Sequence, residues 1–466
     1  MAALEIIDAE LVRSPFAGSM HSKHSDTDLT SLYPIHTPAE RAAALLLLSP
    51  STHDVCLGAG WIDTDSSPPL RPSSCSSSSS SPSTPGEPVE GEESEALLVR
   101  SCSQGWSLSF ELSAHRLPTA GADEAVVRNI AVGLNPVDWK SVSYNFGIPA
   151  FPWILGRDIA AEIVQPPQNN AAGWKVGDRV WTCADSRHMR AGGYQRFSVH
   201  NTQTLAKLPD HIPDQEAATL GTGLVTAAVA LFAFFKLRCN PVNKGLEDQL
   251  DSLHISDDDW ILIYGGGAVT GLYAAQLARA SGVRVVAVAS QDNFEYLRSL
   301  GVSVCVDRHQ PTSAILDNIS AELSARGGKL RYAMDCVSSS TADVCLRALS
   351  HAGTPAQLIA LAGNPKATAE GVTVHRISFS TTFYHPDGVF AAHVLEYLTS
   401  LLEARKLQPC RPHVLPDGLA GIRTGLEMLR EGKAPRAHKL VVCIDDTPAA
   451  DVTHLGVRTE LGWNGV

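Results

Sequence analysis

The hydrophobic pattern is clearest between residues 260 and 290, where apolar positions follow the period of a strand, then of a helix, then of a strand again. Residues 261–264 (ILIY) form an apolar run that ends in three glycines. An apolar-faced helix is predicted after Gly271 and a Val/Ala-rich strand from Val283. In that order, a glycine turn presents backbone N–H groups at a helix N-terminus, where a pyrophosphate can bind. The spacing is GxGxxxG, one residue longer than the usual fingerprint, and glycine clusters also occur in plain turns. The pattern predicts a dinucleotide site at Gly265, Gly266, Gly267, Ala268, Val269 and Thr270.

The residues after the second strand bear on which dinucleotide binds. An acidic residue about twenty positions after the glycines usually holds the ribose 2′-hydroxyl of NAD, whereas small or basic residues leave room for the 2′-phosphate of NADP. Ser290, Gln291, Asp292 and Asn293 occupy this place. Ser290 and Asn293 can donate hydrogen bonds to phosphate oxygens, but Asp292 would favour NAD if the strand ran two residues further. All four residues could instead cap the following helix. We favour NADP.

The pattern on either side of this unit predicts two folded domains of an α/β protein. From residue 95, short alternating segments with glycine turns (96–100, 125–134, 176–183 and 192–200) are typical of a compact β-barrel. Residues 214–235 predict a helix with Asp214 as its N-cap. Strands at 304–307, 332–337 and 357–363 alternate with helices, which indicates a doubly wound parallel sheet. A strand at 438–444 is expected to return to the barrel. We expect a barrel domain at 95–213, completed by about 376–466, and a nucleotide-binding domain at 214–375.

Residues 1–94 differ from the rest of the chain. The segment 71–94 is made mostly of Ser, Pro and Glu and has almost nothing to bury, which predicts a disordered, low-complexity extension. Residues 38–48 carry one short helical pattern. No chemistry is assigned to this region.

Composition excludes several classes of function. The chain of 466 residues has a formal charge of −12 and no basic stripe, which argues against nucleic acid as a partner. No apolar run reaches the ~20 residues that span a bilayer, and the N-terminus lacks a secretory or transit signal, so we expect a cytoplasmic protein. The ten cysteines include no CxxC pair, so neither a zinc lobe nor a disulfide framework is predicted.

Eight segments in order resemble the medium-chain dehydrogenase/reductase superfamily, over roughly residues 95–445. Within it, NPVDWK together with SxxNF at residues 290–294 is similar to the zinc-independent, trans-acting enoyl reductases of fungal polyketide synthases. Quinone reductases share several of the segments. The resemblance implies a GroES-like barrel and a Rossmann domain. The eight segments are LNPVDWK (134–140), LGRDIAAEIV (155–164), KVGDRV (175–180), GGYQRF (192–197), the glycine turn, LRSLGVSVCVD (297–307), YAMDCV (332–337) and HKLVV (438–442).

The residues at the metal positions of related zinc alcohol dehydrogenases support this placement. Those enzymes carry a Cys and a Gly-His-Glu segment, where this chain has Asn135, Pro136, Val137 and Asp138, and then Gly156, Arg157 and Asp158. Without thiolate or imidazole ligands no tetrahedral zinc site is expected, so the predicted metal content is none. Reduction of a carbon–carbon double bond conjugated to a carbonyl needs only positioning and hydrogen-bond donors aimed at the developing oxyanion.

The resemblance also implies roles for individual residues. Lys140 and Thr226 are the catalytic candidates, although Lys140 could be a surface lysine beside Trp139 and Thr226 could bond to its own helix. Arg308 could bind the 2′-phosphate or be a solvated surface residue. Tyr144, His188 and Tyr194 could donate the proton to the α-carbon, but we favour solvent or a donor that the sequence does not identify. The remaining cofactor positions are Val137, Asp138, Trp139, Ala360, Leu361, Ala437 and His438; the substrate positions are Thr226, Ser380, Thr381, Thr382, Phe383 and Tyr384.

The resulting hypothesis is an NADPH-dependent, trans-acting enoyl reductase that works on an acyl chain held by the acyl carrier domain of a polyketide synthase. The first alternative is an NADPH-dependent quinone or enone oxidoreductase that acts on free small molecules. The second is a non-catalytic NADPH-binding protein that recruits partners through its Ser-rich arm.

Overall fold

The computed structural model describes residues 93–239, 258–352 and 355–448. The predicted extension up to residue 92, with its helical pattern at 38–48, lies outside the described residues. The first strand begins at Glu93, two residues before the predicted start of the barrel domain.

Strands and helices are numbered here in chain order. The strands are β1 Glu93–Val99, β2 Phe110–Arg116, β3 Glu124–Gly133, β4 Trp153–Ile154, β5 Asp158–Gln165, β6 Arg179–Cys183, β7 Phe197–Asn201, β8 Leu205–Lys207, β9 Asp259–Tyr264, β10 Arg284–Ala289, β11 Val304–Asp307, β12 Lys329–Asp335, β13 Ala356–Ala360, β14 Val372–His375, β15 Arg411–Leu415 and β16 His438–Cys443. The helices are α1 Pro136–Tyr144, α2 Asp214–Ala217, α3 Gly221–Ala228, α4 Val269–Ala280, α5 Phe294–Ser299, α6 Thr312–Arg326, α7 Ser339–His351, α8 Val389–Glu403 and α9 Gly418–Arg430.

The first folded part is built from antiparallel strands. A seven-stranded sheet has the order β15-β16-β3-β5-β6-β8, with β7 also paired to β3, and a three-stranded sheet has the order β2-β1-β4. Strand β16 runs antiparallel to β3, with Val441 opposite Gly133. The prediction that residues 438–444 return to this part of the molecule is therefore confirmed.

The second part is a six-stranded parallel sheet of order β11-β10-β9-β12-β13-β14. Counted along the chain from β9, this order is 3-2-1-4-5-6, the arrangement of dinucleotide-binding folds. Alternate residues of β9 enter different cores: Ile261 and Ile263 pack with α4 on one face, and Trp260 and Leu262 pack with α6 and α7 on the other. The predicted doubly wound sheet is confirmed.

The helix predicted at residues 214–235 is broken, so that prediction is wrong. Helix α2 ends at Ala217, α3 begins at Gly221, and a π-helical segment, Val229–Phe234, follows it. The break coincides with a tertiary contact to Asp158 of β5. The Asp158 side chain accepts the Thr222 N–H at 2.6 Å and lies where a Cβ on Gly221 would be 2.5 Å from its Oδ1. Asp214 is the first helical residue rather than the N-cap, and its carboxylate pairs with Arg179 at 2.7 Å.

Candidate functional site

The glycine turn lies at the carboxyl edge of the parallel sheet, directly after β9. Gly265 has φ +87°, in the left-handed region that favours glycine. A Cβ on Gly271 would lie 2.4 Å from the Gly265 carbonyl oxygen, so the first turn of α4 packs directly on the turn before it. Helix α4 begins at Val269, two residues before Gly271, whereas the sequence predicted a start after Gly271. The N-terminus of this twelve-residue helix is a favourable place for a pyrophosphate.

Two predicted cofactor residues from distant segments contact this turn. A Cβ on Gly267 would lie 2.9 Å from Nδ2 of Asn293, so the Asn293 amide lies against the turn. The Ala437 N–H donates to the Gly267 carbonyl at 3.3 Å, and Ala437 itself has φ +56°. His438 follows at the start of β16, with Nδ1 2.9 Å from the Arg436 carbonyl oxygen.

A hydroxyl and a guanidinium meet at the end of β10. Arg308, which follows β11, donates from Nε to Oγ of Ser290 at 2.7 Å. Ser290 and Asn293 occupy cap positions, but neither side chain makes a capping hydrogen bond. Gln291 and Asp292 are exposed. Because Ser290, Asn293 and Arg308 can all donate, this edge has the chemistry of a 2′-phosphate site. The residues present therefore fit a phosphorylated nicotinamide dinucleotide.

Helix α1 separates its predicted residues into a buried pair and an accessible pair. Asp138 and Trp139 are buried, whereas Val137 and Lys140 are partly exposed. The Asp138 carboxylate accepts the Asn135 N–H at 2.9 Å and the Tyr194 hydroxyl at 2.7 Å. Burial raises the pKa of Asp138 to about 6, against the opposing effect of the Tyr194 hydrogen bond. Nζ of Lys140 lies 5.8 Å from the centre of the Trp139 ring.

Helix α3 carries two threonines on one face. Thr222 and Thr226 are four residues apart and both partly exposed, so they project on the same side of the helix. A Cβ on Gly223 would lie 2.6 Å from Cγ1 of Val269, which shows that α3 crosses the first turn of α4 at close range. The helix that carries Thr226 is thus packed directly on the helix that follows the glycine turn.

A buried lysine, Lys439, lies where the starts of α1, β5 and α3 come together. The sequence analysis did not predict a role for it. Nζ of Lys439, on β16, lies 2.6 Å from Oδ2 of Asp158 and donates to Oδ1 of Asn135 at 2.5 Å. Oδ1 of Asp158 accepts the Thr222 N–H. Lys439 lies in the segment HKLVV (438–442). A charged residue inside an otherwise apolar strand is the sequence feature that could have indicated a buried, paired lysine.

Ala360 and Leu361 lie at the carboxyl end of β13, on the same edge of the sheet as the glycine turn. The Leu361 N–H donates to the Asp335 carbonyl at 2.8 Å. The Asp335 side chain is fully buried; Oδ1 accepts the N–H groups of Val337 and Ser338 at 3.0 Å each. Burial raises the pKa of Asp335 to about 6.

The predicted substrate loop, residues 380–384, does not present its side chains in one direction. Phe383 is completely buried, and the Tyr384 hydroxyl donates to the carbonyls of Cys183 at 3.1 Å and Ala184 at 2.9 Å. Thr382 donates to the Ser378 carbonyl at 2.5 Å. Thr381 and Thr382 border a cavity of about 1390 Å³ beside α8, whereas Phe383 and Tyr384 border another of about 260 Å³. Tyr384 therefore anchors the loop to the end of β6.

The three side chains considered as proton donors lie in different surroundings. Tyr194 is buried and bonded to Asp138, Tyr144 packs against Trp139 at 5.9 Å between ring centres, and the His188 side chain is 71 % exposed beside Asp185. These three roles, like the other site roles, stay predictions.

The residues at the metal positions of zinc enzymes have other partners here. Asp158 is paired with Lys439, and Arg157 donates from Nε to Oγ of Ser186 at 3.0 Å. Burial raises the pKa of the Cys183 thiol to about 12. Within residues 93–239, 258–352 and 355–448, no three His, Cys, Asp or Glu side chains are grouped as a metal site, and the absence of a metal stays a prediction.

A bilayer-spanning helix was also not expected. In the part of the chain that the structure describes, none of the helices combines the length and the apolar composition needed to cross a membrane.

Family models match both folded parts. The model described as "Alcohol dehydrogenase GroES-like domain" matches residues 121–210, and the model described as "Zinc-binding dehydrogenase" matches residues 269–400. These matches confirm the predicted GroES-like and Rossmann architecture.

Two named relatives and one solved structure match this chain over almost their whole length. The chain is 30% identical over 363 residues to the protein named "Trans-enoyl reductase buaC" of Petromyces alliaceus, covering 72% of this chain and 94% of that one. It is 28% identical over 354 residues to "Trans-enoyl reductase caaB" of Aspergillus niger, covering 70% and 92%. Among solved structures, the CurK enoyl reductase has a TM-score of 0.59 at 19% identity, covering 75% of this chain and 99% of that chain.

Proposed function

This chain belongs to the medium-chain dehydrogenase/reductase superfamily, and we propose that it is an NADPH-dependent, trans-acting enoyl reductase for acyl chains held on a carrier protein. The observation that carries the proposal is the 30% identity to a protein named a trans-enoyl reductase, 94% of whose length the chain covers. The glycine turn, α1 and α3 give that assignment a chemical basis.

The choice of NADPH rests on the donors after β10 and β11. The Ser290 hydroxyl and the Arg308 guanidinium are already 2.7 Å apart, so a phosphate at this edge would gain a charge-assisted hydrogen bond from Arg308 and a second donor from Ser290. Asn293, held against Gly267, offers a further donor near the turn. Gly265, Gly266, Gly267, Ala268, Val269 and Thr270 would hold the pyrophosphate at the start of α4.

The reaction requires stabilisation of negative charge on the substrate. When bound, NADPH supplies the hydride that reaches the β-carbon of the enoyl group. Charge then develops on the thioester carbonyl oxygen, where the Lys140 ammonium and the Thr226 hydroxyl are the proposed donors. Solvent delivers the proton to the α-carbon. Val137, Ala360, Leu361 and His438 are proposed to border the nicotinamide, and residues 380–384 the acyl chain.

The carrier-bound substrate is tested by comparing three acceptors under the same conditions. The purified full chain and NADPH are mixed with a crotonyl group on an acyl carrier domain, with crotonyl N-acetylcysteamine, and with a free benzoquinone. We expect the highest kcat/KM for the carrier-bound crotonyl group. A higher kcat/KM for the quinone would overturn the proposal in favour of a reductase of free small molecules. If none of the three acceptors receives hydride, the result would favour a non-catalytic NADPH-binding protein.

The catalytic role of Lys140 is tested in the same assay. Lys140→Met should lower kcat for the crotonyl thioester by about a hundredfold, the usual loss on removal of one oxyanion donor. Lys329→Met removes a lysine at the opposite edge of the sheet, at the start of β12, and should leave kcat unchanged. Equal kcat values for the two variants would mean that Lys140 has no catalytic role and is a surface lysine beside Trp139.

A further inference from the structure

Lys439 is a buried cation with two buried partners. It is 3% exposed, Asp158 is 0% exposed and Asn135 is 4% exposed. Its ammonium lies 2.6 Å from the Asp158 carboxylate and 2.5 Å from the Asn135 amide oxygen. None of the reaction steps above uses this lysine.

Two glycines show how tightly the chain packs around this group. A Cβ on Gly133 would lie 2.9 Å from Cε of Lys439, 3.0 Å from Cβ of Asp158 and 2.2 Å from the Ala218 carbonyl oxygen. A Cβ on Gly221 would lie 2.5 Å from Oδ1 of Asp158. Both positions therefore need glycine for the ion pair to fit where it does.

The ion pair connects the segments that carry the proposed site. Asn135 immediately precedes α1, which carries Lys140. Asp158 bonds to the N–H of Thr222 at the start of α3, which carries Thr226. Two residues before Lys439, the N–H of Ala437 bonds to the glycine turn at Gly267. The segment 437–439 therefore contacts the glycine turn and the residue before α1 directly, and it is linked to α3 through Asp158.

A buried ion pair is weak evidence for stability, because the cost of removing both charges from water largely offsets their attraction. Its better attested use is to fix one arrangement of the groups around it. Lys439, Asp158 and Asn135 here contact the starts of two helices rather than a surface loop.

We propose that Lys439 is a positioning residue, which joins Asp158 to Asn135 and so holds Lys140 and Thr226 in register with the glycine turn. This inference rests on the proposed function, because the register matters only if hydride passes between cofactor and substrate at these helices. Displacing a catalytic group by about 1 Å can slow a reaction about a hundredfold.

The test measures single-turnover hydride transfer by nicotinamide absorbance at saturating NADPH. Lys439→Met breaks the link and leaves Asp158 without its cation. Asp158→Asn/Lys439→Met also breaks the link but removes the unpaired charge, and the asparagine oxygen can still accept the Thr222 N–H. The matched control is Arg331→Met, which removes the cation from Asp259, another buried carboxylate, at the opposite edge of the sheet.

We expect the hydride-transfer rate constant to fall at least about tenfold in both Lys439 variants and to stay unchanged in Arg331→Met. The burst amplitude and the Kd for NADPH, measured by calorimetry, should stay within about threefold, since the enzyme remains folded and loaded. A loss of amplitude with an unchanged rate constant would overturn the proposal, because it would mean that Lys439 only maintains the fold. An unchanged rate constant in the double variant would also overturn it.

Failure of the proposed function gives a different pattern. Each variant is assayed with the carrier-bound crotonyl group and with a free enone. If the unsubstituted chain reduces only the free enone, the carrier-bound substrate is wrong and the role of Lys439 is decided on the enone. If it transfers hydride to neither acceptor, both proposals fall.

Discussion

Three buried aspartates near the candidate site have different hydrogen-bonding and charged partners. Asp158 has a lysine, Asp138 has a tyrosine hydroxyl and a backbone N–H, and Oδ1 of Asp335 accepts two backbone N–H groups. Burial raises the pKa of Asp138 and of Asp335 to about 6. The sequence shows three identical letters, so these differences could not be predicted from it.

The Asp335 carboxyl should make stability fall between pH 4 and pH 6. Its pKa rises from 3.8 to about 6 on folding, so in this window the unfolded chain loses a proton that the folded chain keeps. Asp335→Asn does not titrate. From pH 4 to pH 7 the free energy of unfolding of this variant should therefore rise by about 2 kcal/mol relative to the unsubstituted chain. Urea denaturation at several pH values measures the difference.

Asp317→Asn, an exposed aspartate on α6, is the control and should show no such trend. A constant difference between Asp335→Asn and the unsubstituted chain across this window would mean that Asp335 is ionised in the folded protein at pH 4.

Arg308 should decide the preference between the two nicotinamide dinucleotides. Its side chain is exposed but oriented by Ser290, as a phosphate ligand should be. Arg308→Ala should raise the Kd for NADPH about tenfold or more, the value of one charge-assisted hydrogen bond, and leave the Kd for NADH almost unchanged. Calorimetry with both dinucleotides measures the two constants.

Arg326→Ala, an exposed arginine paired with Glu322 on α6, provides the comparison and should change neither constant. Parallel weakening of NADPH and NADH by Arg308→Ala would place the arginine away from the 2′-phosphate.

Among the individual helices and strands, the sequence pattern predicted correctly those whose stabilising contacts lie within the same short segment. The unit β9–turn–α4–β10 was predictable because its glycines, its apolar periods and its order are all local. The break between α2 and α3 was not, because it depends on Asp158 from β5, which bonds to Thr222 64 residues away. The start of α4 was misplaced because Gly271 serves close packing inside the helix rather than the turn.

The position of the loop that contains residues 380–384 should depend on the hydrogen bonds of the Tyr384 hydroxyl. Tyr384→Phe leaves the carbonyls of Cys183 and Ala184 without this donor, which should cost about 1 kcal/mol of stability. We expect KM for the crotonyl thioester to rise, because the loop is less fixed, while kcat changes little. Steady-state kinetics and thermal denaturation measure the two effects.

Tyr296→Phe makes the same chemical change on α5, away from the loop, and should leave KM unchanged. If Tyr384→Phe lowers kcat and not KM, the hydroxyl acts on the reacting atoms instead of anchoring the loop.

At the scale of the whole molecule, the two-part architecture was predictable and the connection between the parts was not. The order of motifs gave the barrel, the parallel sheet and the return of β16, and the family matches agree with them. The link through Lys439, Asp158 and Asn135 joins residues 304 positions apart, so no local pattern could reveal it. The candidate site draws its residues from segments that are distant in sequence, which explains why the fold was more predictable than the site.

Hydride transfer from NADPH to the enoyl group is tested most directly by following one hydrogen atom. The full chain is given a crotonyl group on an acyl carrier domain, with NADPH deuterated at either the pro-R or the pro-S position of the nicotinamide C4. With one of the two cofactors, mass spectrometry and NMR of the released butyryl group should show deuterium at the β-carbon, and in deuterated water the solvent label should appear at the α-carbon. A saturated product that carries no cofactor deuterium at the β-carbon with either labelled NADPH, or no saturated product at all, would contradict hydride transfer from NADPH to the enoyl group.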